Sequence, residues 1–141
     1  MSFNDIYRVS GSAMTAQTVR LNTIASNLAN AESPAASEAA TYKARRPVFA
    51  ALYQNSKLTD APALAGARVQ VLDVVETGNA VRRYEPGNPL ANAQGHVFYP
   101  DINTVEEMAD MMSASRNFET NVEVLNSVKS MQQSLLRLGE A

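Results

Sequence analysis

The stretch SFNDIYRVSGSAMTAQTVRLNTIASNLAN, residues 2–30, decides the fold. It contains no proline, and Tyr7, Met14, Leu21 and Leu28 recur every seven residues with Ile6, Ala13, Ile24 and Ala25 beside them. That spacing predicts one long amphipathic helix with a coiled-coil-like stripe. Ser2 followed by Asp5 supplies an N-cap, and Glu32-Ser33-Pro34 closes the pattern because proline lacks the N–H and disfavours helix in the residue before it. At 1.5 Å per residue the helix is about 40 Å long. Gly11 within it weakens the helix slightly and suits a site where a neighbouring helix approaches closely.

A second long pattern starts at Thr104, where Thr104-Val105-Glu106-Glu107 fits a capping box. It runs without glycine or proline to Gly139, which is placed to follow the last turn. Met108, Met111, Phe118, Val122, Leu125, Val128, Met131, Leu135 and Leu138 form its apolar side. Between the two helices the composition changes. Residues 42–53, 67–75, 81–84 and 96–99 are rich in Val, Tyr and Phe and read as short strands, separated by turn formers such as Glu85-Pro86-Gly87-Asn88-Pro89. Pro47 makes the first strand an edge or irregular one, and residues 54–66 read as a loop. The expected fold is therefore α+β. Residues 1–33 and 102–141 form one helical core as an antiparallel coiled coil, and residues 34–101 form a small, irregular β-rich middle segment.

Composition narrows the function. The chain has 141 residues, 45% of them hydrophobic, with a net charge of -2 and no cysteine. No basic field is present to hold a phosphate backbone, so nucleic acid is not an expected partner. The cysteine count removes disulfides and thiolate chemistry. No stretch approaches the roughly 20 apolar residues that span a bilayer, and residues 1–20 lack the pattern of a cleaved signal peptide, so no direct membrane insertion is expected.

A search for chemistry finds little. His96 is the single histidine and sits in an expected strand without a sequence-near carboxylate. Glu106, Glu107 and Asp110 cluster at the start of the second helix, where the positive end of the helix dipole explains them. No phosphate-binding glycine loop or activated nucleophile is evident, so no cofactor, metal or enzyme activity is expected.

The two apolar stripes are long enough to cover each other, joining the ends of the chain. The remaining helix faces are small and polar rather than charged: Asn22, Ser26, Asn27 and Asn30 in the first, and Ser113, Asn117, Asn121, Asn126 and Ser130 among others in the second. Helices that face water usually carry more Lys and Glu, so these faces suit packing against other subunits. A helix pair that binds another protein without polymerising, an adaptor or export-associated module, is the alternative.

The residues also carry a family resemblance. The run Gly11-Ser12-Ala13-Met14-Thr15-Ala16-Gln17, then Arg20-Leu21-Asn22 and Ala25-Ser26-Asn27-Leu28-Ala29-Asn30-Ala31, resembles the N-terminal signature of the flagellar rod and hook axial proteins. The motif Tyr84-Glu85-Pro86-Gly87-Asn88-Pro89 through Gly95, the segment Met112-Ser113-Ala114-Ser115-Arg116, and Asn121-Val122-Glu123-Val124-Leu125-Asn126 continue it. Asn92, His96 and the segment Pro100-Asp101-Ile102-Asn103 depart from the usual pattern. The resemblance implies a structural subunit of the proximal rod, which passes torque from the membrane-embedded motor ring through the periplasm to the hook. Its implied partners are copies of itself, other proximal rod proteins, the FliE adapter and the flagellar type III export apparatus, which exports such subunits uncleaved. The expected packing residues are Tyr7, Met14, Leu21, Ile24 and Leu28 against Phe118, Val122, Leu125, Val128, Met131 and Leu135. Asn27 and Asn30 admit two readings at this point: polar residues ending a helix, or contacts for neighbours or export.

Overall fold

The computed structural model describes residues 2–55 and 64–139. Helix α1 spans Phe3–Asn30. Its first turn is closed by a reciprocal cap: the Asp5 N–H donates to Ser2 Oγ at 3.3 Å and the Ser2 N–H donates to Asp5 Oδ2 at 2.8 Å. Asp5 is thereby held below its ordinary carboxyl pKa, first by the Ser2 backbone N–H and then by the Ser2 hydroxyl. A turn of 3-10 helix, Glu38–Ala40, leads to strands β1 (Ala44–Asn55) and β2 (Leu64–Thr77). Strands β3 (Ala80–Tyr84) and β4 (His96–Pro100) follow, and helix α2 spans Thr104–Gly139.

The middle segment is two antiparallel hairpins rather than a single sheet. β1 and β2 pair from Ala44 opposite Thr77 to Asn55 opposite Leu64, with a shift in register between Val48 and Phe49 that leaves Leu72 without a partner. β1 is displaced by two residues from the expected 42–53 and β2 is longer than the expected 67–75, so the strands take in the two ends of the expected loop; residues 56–63 of that loop lie outside the described residues. Pro47 sits within β1 opposite Val74 without breaking it, because in a two-stranded ribbon each strand has a free edge. β3 and β4 pair from Ala80 opposite Pro100 to Tyr84 opposite His96. A bridge from Ala35 to Phe98 ties the chain leaving α1 to this second hairpin.

The helices lie against one another, and the first hairpin packs on α1. Side chains link Tyr7 to Gln132, Arg20 to Asp110 and Asn27 to Glu107, so the start of α1 lies beside the late turns of α2. Ser12 Oγ accepts from the Val69 N–H at 3.0 Å and fastens β2 to α1. Three details differ from the sequence expectation. The cap of α2 is Asn103, whose Oδ1 accepts from the N–H groups of Val105 and Glu106, so Thr104 is already helical and Glu107 is free for other bonds. Gly139 is the final helical residue rather than the one after it. A Cβ built on Gly11 meets nothing within 4 Å, so none of the described elements makes the close approach that the glycine suggested.

The core is thin. Among the described residues, Ala16, Ile24, Ala31, Ala44, Val97, Ala114 and Val128 are the buried apolar ones, and the largest fully buried side chains are Glu107, Val97 and Asn27. Two of those three are polar, which places the best-enclosed volume at a polar junction.

A buried polar junction and an open apolar stripe

That junction forms where the last turn of α1, the start of β1 and the first turns of α2 meet. Asn27 is 1% exposed, and its amide uses every bonding position it has. Nδ2 donates to the Arg45 carbonyl at 2.9 Å and to Glu107 Oε2 at 3.1 Å. Oδ1 accepts from the Arg45 N–H at 2.8 Å and from the Tyr42 hydroxyl at 3.0 Å. Towards Arg45 the side chain thus behaves as a neighbouring strand would, exchanging both backbone bonds. Tyr42 also lies 3.0 Å from Ser26 Oγ, and the Arg45 guanidinium lies over the Tyr42 ring.

Glu107 is 2% exposed, and a carboxylate there requires compensation. Arg46 supplies it, donating to Glu107 Oε1 at 3.0 Å, while its other terminal nitrogen lies 3.4 Å from Asp110 Oδ2. Arg20 of α1 donates to Asp110 Oδ1 at 2.8 Å. The acidic cluster read as a complement to the helix dipole is therefore mainly a set of cross-chain partners: Glu107 and Asp110 face arginines from β1 and α1. Of the α1 residues expected on outward polar faces, Asn27 is buried and Ser26 faces Tyr42, whereas Asn22 remains exposed. Asn30 donates to the Ser26 carbonyl one turn back and belongs to no network. Between Val19, Thr23, Arg45 and Glu76 an open groove of about 500 Å³ runs beside the junction.

The expected packing residues divide by position. Ile24 and Val128 are buried; Tyr7, Met14, Leu21, Leu28, Phe118, Val122 and Leu125 are half-buried. Met131 and Leu135 are not covered by α1: they are 54% and 55% exposed, and Leu136 and Leu138 are more exposed still. At the opposite end of α2, Val105, Met108 and Met112 also face outward. Arg116 is exposed, and Asn121 is half-buried and donates to the Asn117 carbonyl within its own helix.

The remaining motif residues shape the turn between β3 and β4. Glu85 through Asn88 form a turn carrying Pro86 and the open Gly87, and Pro89 lies in the next turn, where Ala91 N–H donates to the Asn88 carbonyl. Asn92 Oδ1 accepts from the N–H groups of Gln94 and His96 and brings the loop back. Gly95 has φ +74, and a Cβ there would stand 2.9 Å from the Tyr84 ring and 3.3 Å from Pro86. Tyr84 meets His96 edge-on, while Glu85 Oε2 accepts from the Tyr99 hydroxyl at 3.1 Å. Partial desolvation, followed by that bond, holds the Tyr99 phenol above its ordinary 10.0. Among the described residues no group of three or more His, Asp or Glu side chains is placed to hold a metal, and no helix is long and apolar enough to cross a membrane.

A helix pair with a polar junction beneath it and β hairpins between is an α+β arrangement, and comparisons with known proteins give its class. Residues 8–34 match the family described as flagella basal body rod protein, and residues 93–138 match the flagellar basal body rod FlgEFG protein C-terminal family. The chain is 45% identical to the flagellar basal-body rod protein FlgC of Escherichia coli O157:H7, over 99% of this chain and 100% of that relative. It is 43% identical to FlgC of Salmonella typhimurium with the same coverage, and 31% identical to FlgC of Agrobacterium fabrum over 95% of this chain and 93% of that relative. The chain belongs to the FlgC family of flagellar basal-body rod proteins.

Proposed function

We propose that the chain is a structural subunit of the flagellar proximal rod, non-enzymatic, which assembles helically and passes torque from the motor ring to the hook. The observation that carries this reading is the apolar stripe of α2, left open at both ends of a helix that already has a partner within the chain. A lone helix pair gains nothing from exposing Met108, Met112, Met131, Leu135 and Leu138 to water, whereas a tube of such pairs covers them. Copies related by a screw operation meet through unlike surfaces, and a contact of that kind propagates instead of closing.

In this reading α1 and α2 form an antiparallel coiled-coil unit in the wall of the tube, and the hairpins of the middle segment form a second unit lying outward. Its partners are further copies, the other proximal rod proteins and the FliE adapter at the motor ring. The flagellar type III apparatus exports it uncleaved to a rod that spans the periplasm. The test is deletion of the gene in its own organism with complementation, scored by motility and by electron microscopy of isolated basal bodies. Non-motile cells without rod and hook, restored by the intact gene, are the expected result. Complete basal bodies in the deletion strain, with no paralogue to substitute, would reject the rod reading in favour of a non-polymerising adaptor.

A further inference from the structure

We infer that Arg46 makes the docking of α2 onto α1 conditional on the placement of β1, through the buried charge of Glu107. Glu107 travels with α2, Asn27 with α1 and Arg46 with β1, and the three meet at one enclosed point. An apolar seam would let the two helices pair whatever the intervening chain was doing. This seam does not, because docking α2 takes the Glu107 carboxylate out of water and leaves it, without Arg46, a single neutral donor from Asn27.

Arg46 is in turn delivered by the same asparagine. Asn27 holds both backbone groups of Arg45, which fixes where the next side chain emerges. One residue of α1 therefore grips the strand with two of its amide bonds and the second helix with a third. Asp110 does not share the dependence, since Arg20 holds its Oδ1 at 2.8 Å independently of the strand. The arrangement is a positional interlock: the helices close at this end when the middle segment has its first strand in place.

The interlock predicts a charge-specific rescue. Arg46→Met removes the counter-charge while keeping a long apolar stem, so Glu107 becomes an unpaired buried carboxylate. Glu107→Gln removes the need for the counter-charge. In a deletion strain expressing matched amounts of each chain, Arg46→Met is expected to lower the protein recovered in purified basal bodies by about tenfold or more. The double variant is expected to return to within about twofold of Glu107→Gln alone.

Native recovery for Arg46→Met would overturn the inference. So would a double variant no better than Arg46→Met, since the arginine would then act through its packing or its bond to Asp110. This readout rests on the rod assignment, and a native chain missing from basal bodies would fail that assignment instead. Amide exchange over residues 104–112 of the purified full chain would then decide: protection must fall in Arg46→Met and return in the double variant, and any other order, or a native segment without protection, rejects the interlock.

Discussion

The two ends of the helix pair are built on different principles. Beside the middle segment, Asn27, Glu107, Arg46, Asp110 and Arg20 interlock three chain elements, and almost every polar group has a named partner. Beside the chain termini, apart from the Tyr7 bond to Gln132, α2 presents Met131, Leu135, Leu136 and Leu138 to solvent. The first end specifies its own geometry by direction-dependent bonds. The second offers non-directional apolar surface, which stabilises a contact with whatever complementary helix covers it. A subunit that must keep its internal shape while joining neighbours needs both, and here they are separated along one helix.

The largest effect on the isolated chain should come from breaking the specified end. Asn27→Asp replaces the donating nitrogen with an oxygen facing the Arg45 carbonyl and Glu107, turning two hydrogen bonds into repulsions and adding a second buried carboxylate. We expect a loss of about 3–5 kcal/mol in denaturant unfolding. Asn30→Ala, one turn further on and bonded only within its helix, should change stability by less than about 0.5 kcal/mol. Equal effects from the two asparagines would remove the distinction drawn between them.

How far the sequence reveals this division follows from the range of the forces involved. The helix at residues 2–30 and the start of the second at Thr104 are legible because an apolar stripe free of proline is a local signal, although the cap of α2 falls on Asn103 and not on the expected Thr104. The bounds of β1 and the length of β2 are not legible, because the shift at Val48 breaks the alternation and Leu64 to Gly66 carries no strand signature. The junction is the least legible part. Its ion pairs join residues 61 and 90 positions apart, and nothing in a single sequence says that Arg46 reaches Glu107 or that Arg20 reaches Asp110. Asn27 lies within a run of small polar residues, where its burial has no local mark. Glu107 also had a sufficient local explanation in the helix dipole, which concealed the long-range one.

Smaller effects test whether rigidity elsewhere is local. Gly95→Ala places a Cβ against the Tyr84 ring at a positive φ, and we expect a loss of about 1–2 kcal/mol, visible as a lower thermal midpoint. The junction amides should keep their exchange protection in this variant. At the N-terminus, Ser2→Ala should cost about 1 kcal/mol through the lost cap. The pH dependence there has a definite sign. Because the folded state holds the Asp5 pKa below its ordinary 3.8, the contribution is fully present above that value and is lost as pH falls through the lower, folded value. Helicity near residue 5, followed by NMR, should therefore decline in acid for the native chain and show a weaker acid dependence in Ser2→Ala.

The smallest effect on the isolated chain bears most on the open end. Leu135 is already 55% exposed, so Leu135→Asp removes little buried surface and should shift unfolding by no more than about 0.5 kcal/mol. In an assembled tube the same substitution would bury a carboxylate against apolar neighbours, a penalty of a different order. The expected pair of results is unchanged melting of the purified chain together with loss of the protein from basal bodies. Loss of stability in the isolated chain would mean that α1 covers Leu135 after all. Native incorporation would mean that water, not a neighbouring helix, faces this end of α2, and the contrast between a self-specified end and an end completed by neighbours would fall.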